Sequence, residues 1–132
     1  MKLEHIGIAI RNSADSEKIF AELLGTDSYK SENVESEGVK TTFFHVGESK
    51  IELLQALDPN SPVAKFIEKR GEGIHHLAFE VDDIDFELNR LEQLGYQLIH
   101  RTPKDGAENK RIAFLHPKST NGVLIELCQE KT

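Results

Sequence analysis

Apolar residues along this chain follow first a strand-like and then a helix-like period, and the same succession occurs twice. Residues 5–10 read His-Ile-Gly-Ile-Ala-Ile. In a strand this run puts Ile6, Ile8 and Ile10 on one face and His5, Gly7 and Ala9 on the other. Asn12-Ser13 then offers capping residues, and Ile19, Phe20, Leu23 and Leu24 give one apolar side to a helix that Gly25 closes. From His76 to Val81 the pattern returns: Leu77, Phe79 and Val81 oppose His76, Ala78 and Glu80. Asp82-Asp83 caps a second helix carrying Ile84, Leu88 and Leu91 and stopping at Gly95. Further strands are predicted near Ser28–Glu32, Val39–Val46 and Lys50–Gln55, and near Gln97–Arg101, Arg111–His116 and Val123–Gln129.

The two halves are copies of one unit. His5 and His76 lie 71 residues apart, as do Phe43-Phe44-His45 and Phe114-Leu115-His116. Ile51-Glu52-Leu53-Leu54 recurs 74 residues later as Ile125-Glu126-Leu127-Cys128, so three residues are inserted between His116 and Glu126, within Pro117–Gly122. Three matches in the same order make the unit β-α-β-β-β, present twice. The expected fold is therefore α+β: two tandem β-α-β-β-β modules forming a curved mixed-sheet cup with helices on its outer face. Residues 1–132 are read as a single domain, with module 1 over about 1–57, a connector helix over about 61–71 and module 2 over about 74–130. Ser61 as cap, Pro62 in the first turn and Gly71 as stop mark the connector, with Val63, Phe66 and Ile67 on its apolar side.

Composition narrows the setting. Sixteen Lys and Arg against 23 Asp and Glu give a net charge of −7, which disfavours nucleic acid and anionic membranes as partners. Apolar runs are too short for a membrane span. A lone Cys128 allows no internal disulfide, and the first residues lack the basic flank and apolar stretch of a secretory signal. A cytoplasmic location is the expectation.

Parity in the four duplicated strands exposes the candidate chemistry. Ile51 and Leu53 oppose Glu52, and Ile125 and Leu127 oppose Glu126, so two His and two Glu fall on the faces turned away from the helices. Imidazole and carboxylate together suit a divalent ion such as cobalt, nickel, zinc, manganese or iron better than calcium. Four protein ligands would leave an octahedral ion two positions for substrate oxygens. The alternative is that both histidines are satisfied core residues and both glutamates are solvated on edge strands.

The chain resembles the vicinal oxygen chelate superfamily, and within it the methylmalonyl-CoA epimerase family, nearly end to end. The resemblance rests on His5-Ile-Gly-Ile-Ala, Lys50-Ile-Glu-Leu-Leu, the block from Ser61 through His76 to Asp83, and the His116-Pro117-Lys118-Ser119 turn before Glu126. The strand motifs are common to the superfamily; the long block and the turn are specific. The resemblance implies metal ligands at His5, Glu52 (Gln in some members), His76 and Glu126, with cobalt as first choice and nickel, manganese, zinc or magnesium as others. It implies an acyl-CoA substrate, a homodimer, and epimerisation at C2 by proton removal and return through a metal-stabilised enolate. Glu126 and Glu52 are the expected acid–base residues, and Lys118 and Ser119 the expected substrate-binding residues. One departure stands out: where some members carry a second catalytic carboxylate, three residues beyond the Gly38 turn, this chain has Thr41. Glu35 and Glu37 are fallback bases, more simply read as a solvated loop. His45 and His116 are read as structural and Cys128 as small core filler. A glyoxalase-I-like isomerase of a glutathione hemithioacetal shares the ligands and the proton transfer, and a non-catalytic small-molecule binding module shares the fold. An extradiol dioxygenase fits less well, because it needs only one carboxylate ligand.

Overall fold

A computed structural model describes residues 1–131. Its elements run β1 (Lys2–Ile10), α1 (Ser13–Leu24), β2 (Lys30–Val34), β3 (Val39–Val46), β4 (Ser49–Ala56), α2 (Pro62–Arg70), β5 (Gly73–Glu80), α3 (Ile84–Gln93), β6 (Lys104–Asp105), β7 (Lys110–Leu115) and β8 (Ile125–Glu130). The chain forms two compact units, one of His5–His75 and one of Met1–Glu4 with the residues from His76 on. Both are α+β with mixed sheets, and the duplicated β-α-β-β-β order is borne out.

In the His5–His75 unit the strand order is β2-β3-β4-β1. β1 pairs with β4 in parallel, while β2/β3 and β3/β4 are antiparallel. The helix-facing side carries Ile10, Phe44 and Leu53, joined by Ile8, Ile51 and the α1 residues Phe20, Ala21 and Leu24. Phe44 and Leu53 are almost wholly buried, so truncating Phe44 to Ala would cost about 3–5 kcal/mol. α1 starts where the sequence puts it: the Asn12 side chain accepts from the Asp15 N–H, and Gly25 ends the helix in the left-handed region. α2 is capped by Ser61, whose hydroxyl accepts from the Ala64 N–H at 3.1 Å. Gly38 (φ 65°) turns the chain into β3, and a Cβ there would lie 3.0 Å from that of Ser61.

In the other unit the order is β5-β8-β7-β6, with β5/β8 parallel and β7/β8 and β6/β7 antiparallel. Val81, Ile84, Leu88, Leu91, Ala113, Leu115 and Leu127 make its core beneath α3. Asp83 caps α3 through the Phe86 N–H. The duplication extends to a contact the apolar pattern does not reveal. Gln55 Oε1 accepts from the Ser13 N–H at 2.6 Å, and Gln129 Oε1 accepts from the Ile84 N–H at 2.8 Å. Each helix start is thus tied to its own sheet by the same side chain, satisfying an amide that the helix leaves unpaired.

Most expected strands occur with ends shifted by one to three residues; β2 begins two residues later than expected. Gln97–Arg101 is a true departure. It makes only an isolated bridge, Leu98 with Leu115, and the second strand of this copy is the short β6 instead. The His100 ring explains the break: its Nδ1 accepts from the Phe114 N–H at 3.1 Å, where a ladder would place a carbonyl. Pro103, which has no N–H to give, follows closely. Among the described residues no helix is long and apolar enough to cross a membrane.

Candidate functional site

Two parallel strand pairs set the candidate ligands by the same rule. On β1/β4, Gly7 stands opposite Glu52, and His5 lies two residues before Gly7 on the same face. On β5/β8, Ala78 stands opposite Glu126, with His76 two residues before it. A glycine or alanine beside each glutamate leaves room for its carboxylate to lie diagonally toward the histidine. His5 Nδ1 is 3.0 Å from Glu52 Oε2, and His76 Nε2 is 3.4 Å from Glu126 Oε1. All four side chains are buried, none more than 7% exposed. The bland alternative of solvated edge glutamates therefore does not describe this structure.

Burial makes the pairing chemically demanding. A carboxylate away from water needs a positive partner, and an imidazole lone pair facing it at such distances would repel it. Each pair needs a proton or a cation between nitrogen and oxygen. The 3.4 Å separation at His76–Glu126 is longer than the 2.7–2.9 Å of a charge-assisted hydrogen bond. Imidazole nitrogen with carboxylate oxygen is a donor set that divalent transition ions accept readily. The residues present fit such an ion.

The same register walls each pair with an aromatic ring. Phe43 of β3 is opposite Glu52, and Phe114 of β7 is opposite Glu126. Phe43 is fully buried, and Phe114 meets His76 edge-on with centroids 5.6 Å apart. Phe114 thus braces the His76 imidazole and Phe43 stands beside Glu52 on the neighbouring strand, positions to which the sequence reading gave no role. Thr41 is buried two residues before Phe43, on the face that carries Glu52.

The other candidates separate clearly. His75 turns away from His76 and packs edge-on against Phe66 of α2 at 5.0 Å; burial lowers its pKa from 6.5 to about 4. His45 stacks on Tyr29, and His116 Nδ1 accepts from the Lys118 N–H, in keeping with structural roles for both. Glu35 and Glu37 lie in a 3-10 turn before Gly38. Lys118 is exposed, and Ser119 Oγ accepts from the Gln97 N–H at 2.8 Å, leaving the hydroxyl hydrogen to donate elsewhere. Cys128 is fully buried with Ile112 and Phe114. Burial first, then the charges of Glu126 and Glu4, push its thiol well up, with Lys110 partly offsetting them. It stays a protonated filler rather than a nucleophile. Two buried charged residues escaped the sequence reading: Glu4, next to His5, and Lys110, on β7. For Lys110 the available signal was its parity with Phe114, one position outside the expected strand.

Duplicated β-α-β-β-β modules, each presenting a buried His–Glu pair on the face away from its helix, define a class of small metal-associated enzymes and binding proteins. The profile of the glyoxalase/bleomycin resistance protein/dioxygenase superfamily matches residues 4–114, and the chain belongs to that superfamily. Within it the similarity is to epimerases. The mitochondrial methylmalonyl-CoA epimerase of Dictyostelium discoideum is 41% identical, covering 96% of this chain and 76% of that protein. The ethylmalonyl-CoA/methylmalonyl-CoA epimerase of Cereibacter sphaeroides is 37% identical over 97% of each. The crystal structure of methylmalonyl-CoA epimerase from Mycobacterium tuberculosis superposes with a TM-score of 0.94 at 35% identity, covering 99% of this chain and 89% of that one. The resemblance to this epimerase family drawn from the sequence is borne out.

Proposed function

We propose that this chain epimerises methylmalonyl-CoA at C2. The observation that carries the reading is the repeated buried pair, His5–Glu52 and His76–Glu126, in a chain whose relatives are named as epimerases of that substrate. His5, Glu52, His76 and Glu126 would together hold one divalent cation, cobalt first and nickel, manganese, zinc or magnesium otherwise. When bound, that cation supplies Lewis acidity toward substrate oxygens as negative charge develops at C2.

The protein's own residues move the proton. The C2 hydrogen lies between a thioester and a carboxylate and is weakly acidic, so a positioned carboxylate can remove it. Glu126 is the proposed base on one face and Glu52, its counterpart by duplication, the acid on the other. Phe43 and Phe114 keep bulk water out, which protects the carbanionic intermediate and strengthens each charge interaction. Thr41 lacks the acidity to serve as a carboxylate would, so the second proton falls to Glu52. Lys118 suits a coenzyme A phosphate, and the Ser119 hydroxyl can donate to a substrate oxygen. We infer homodimeric assembly and a cytoplasmic setting for this activity.

The test is solvent exchange. Racemic methylmalonyl-CoA incubated with metal-loaded protein in deuterated water should gain deuterium at C2 while its epimers interconvert. If neither is accelerated and the same preparation isomerises a glutathione hemithioacetal, the glyoxalase-I-like reading replaces this one.

A further inference from the structure

Lys110 is 6% exposed, an uncommon position for a lysine. It opens β7, and the register fixes its direction: Lys110, Ile112 and Phe114 stand opposite Glu130, Cys128 and Glu126. Lys110 therefore shares the face that carries Glu126, beyond the apolar patch of Ile112, Phe114 and Cys128. Its backbone is held in place, since its carbonyl accepts from the Gly106 N–H at 2.9 Å.

The ion pair seen in this structure does not account for burying an ammonium. Nζ lies 3.9 Å from Glu130 Oε1, and the Glu130 side chain is 73% exposed. A solvated pair at that distance is weak, and it does not offset the cost of desolvating the ammonium. The duplication sharpens the point. Counting back 71 residues, Lys110 corresponds to Val39, which is buried and apolar on the matching face of the other copy. One copy thus buries an apolar side chain where the other buries an ammonium, so the repeated fold itself does not require a charge at this position.

We propose that Lys110 receives the free carboxylate of the acyl group and thereby sets the orientation in which the substrate meets Glu126. The proposal rests on the epimerase reading. A buried ammonium at the end of an apolar patch suits a compact carboxylate; the coenzyme A phosphates, bulky and heavily hydrated, suit the exposed Lys118 better.

Two esters separate the possibilities: methylmalonyl-CoA and propionyl-CoA, which lacks only the carboxylate. With the intact metal-loaded protein, Lys110→Met should weaken methylmalonyl-CoA binding and raise its KM by about tenfold or more. Propionyl-CoA binding should stay within about twofold of wild type. Lys110→Arg should retain most of the preference for the carboxylate ester, and Lys110→Gln stands in if the Met variant does not fold. Glu130→Gln should leave both affinities unchanged. Equal losses for both esters, or no loss for either, overturn the proposal while leaving epimerisation by the wild type intact. A wild-type protein that neither exchanges nor epimerises methylmalonyl-CoA overturns the epimerase reading and this assignment with it.

Discussion

Glu52 and Glu126 occupy matching positions, yet duplication does not oblige them to do the same work. Each carboxylate sits beside an imidazole nitrogen and an aromatic ring, an environment that excludes water and favours a single proton exchange partner. If Glu52 returns the proton to the second face, Glu52→Gln retains a ligand oxygen but removes the transferable proton. Epimer interconversion should then fall by about a hundredfold or more, with bound metal unchanged by elemental analysis. Normal turnover in that variant would assign the second proton elsewhere. The four proposed ligands were legible at this scale because strand parity and an internal repeat act on residue identity alone. Lys110 and Glu4 were not: each lies one position outside the strand expected from the apolar pattern, where a charged residue reads as solvated.

At the scale of elements, apolar periodicity together with the local cap signals Asn12, Ser61 and Asp83 located α1, α2 and α3. Strand pairing was less legible. Gln97–Arg101 was expected as a strand from its place in the repeat, but the His100 ring takes the Phe114 amide and ends the ladder, a tertiary event that no local pattern encodes. Gln55 and Gln129 are a second such case. Each glutamine projects from its strand to the first turn of a helix more than 40 residues away in sequence. Replacing either by Leu keeps the side-chain volume and leaves a partly buried helix amide without its acceptor. Gln55→Leu and Gln129→Leu should each cost about 1–2 kcal/mol in denaturant unfolding. A loss in one copy but not the other would show that the repeated contact stabilises only one module.

For the whole molecule, an acidic chain of net charge −7 would have to hold the proposed anionic ester by placed cations rather than by its field. A divalent ion would be the largest of these, and the repeated pairs allow two arrangements: one ion shared by four ligands, or one ion for each His–Glu pair. The shared arrangement gives each ion four protein ligands; the separate one gives two, too few for tight binding in competition with water. We therefore expect one metal equivalent per chain. A ligand that binds only the folded state stabilises it by about 4 kcal/mol at a thousandfold excess over its Kd, so chelation should lower the Tm and readdition restore it. Removing a histidine distinguishes the arrangements. If one ion serves both pairs, His5→Ala and His76→Ala should each abolish tight binding and the metal-dependent rise in Tm. If each pair holds its own ion, either variant should keep half the metal and part of that rise. Two equivalents in the wild type, halved in each variant, would refute the shared centre and leave each repeat as an independent metal site.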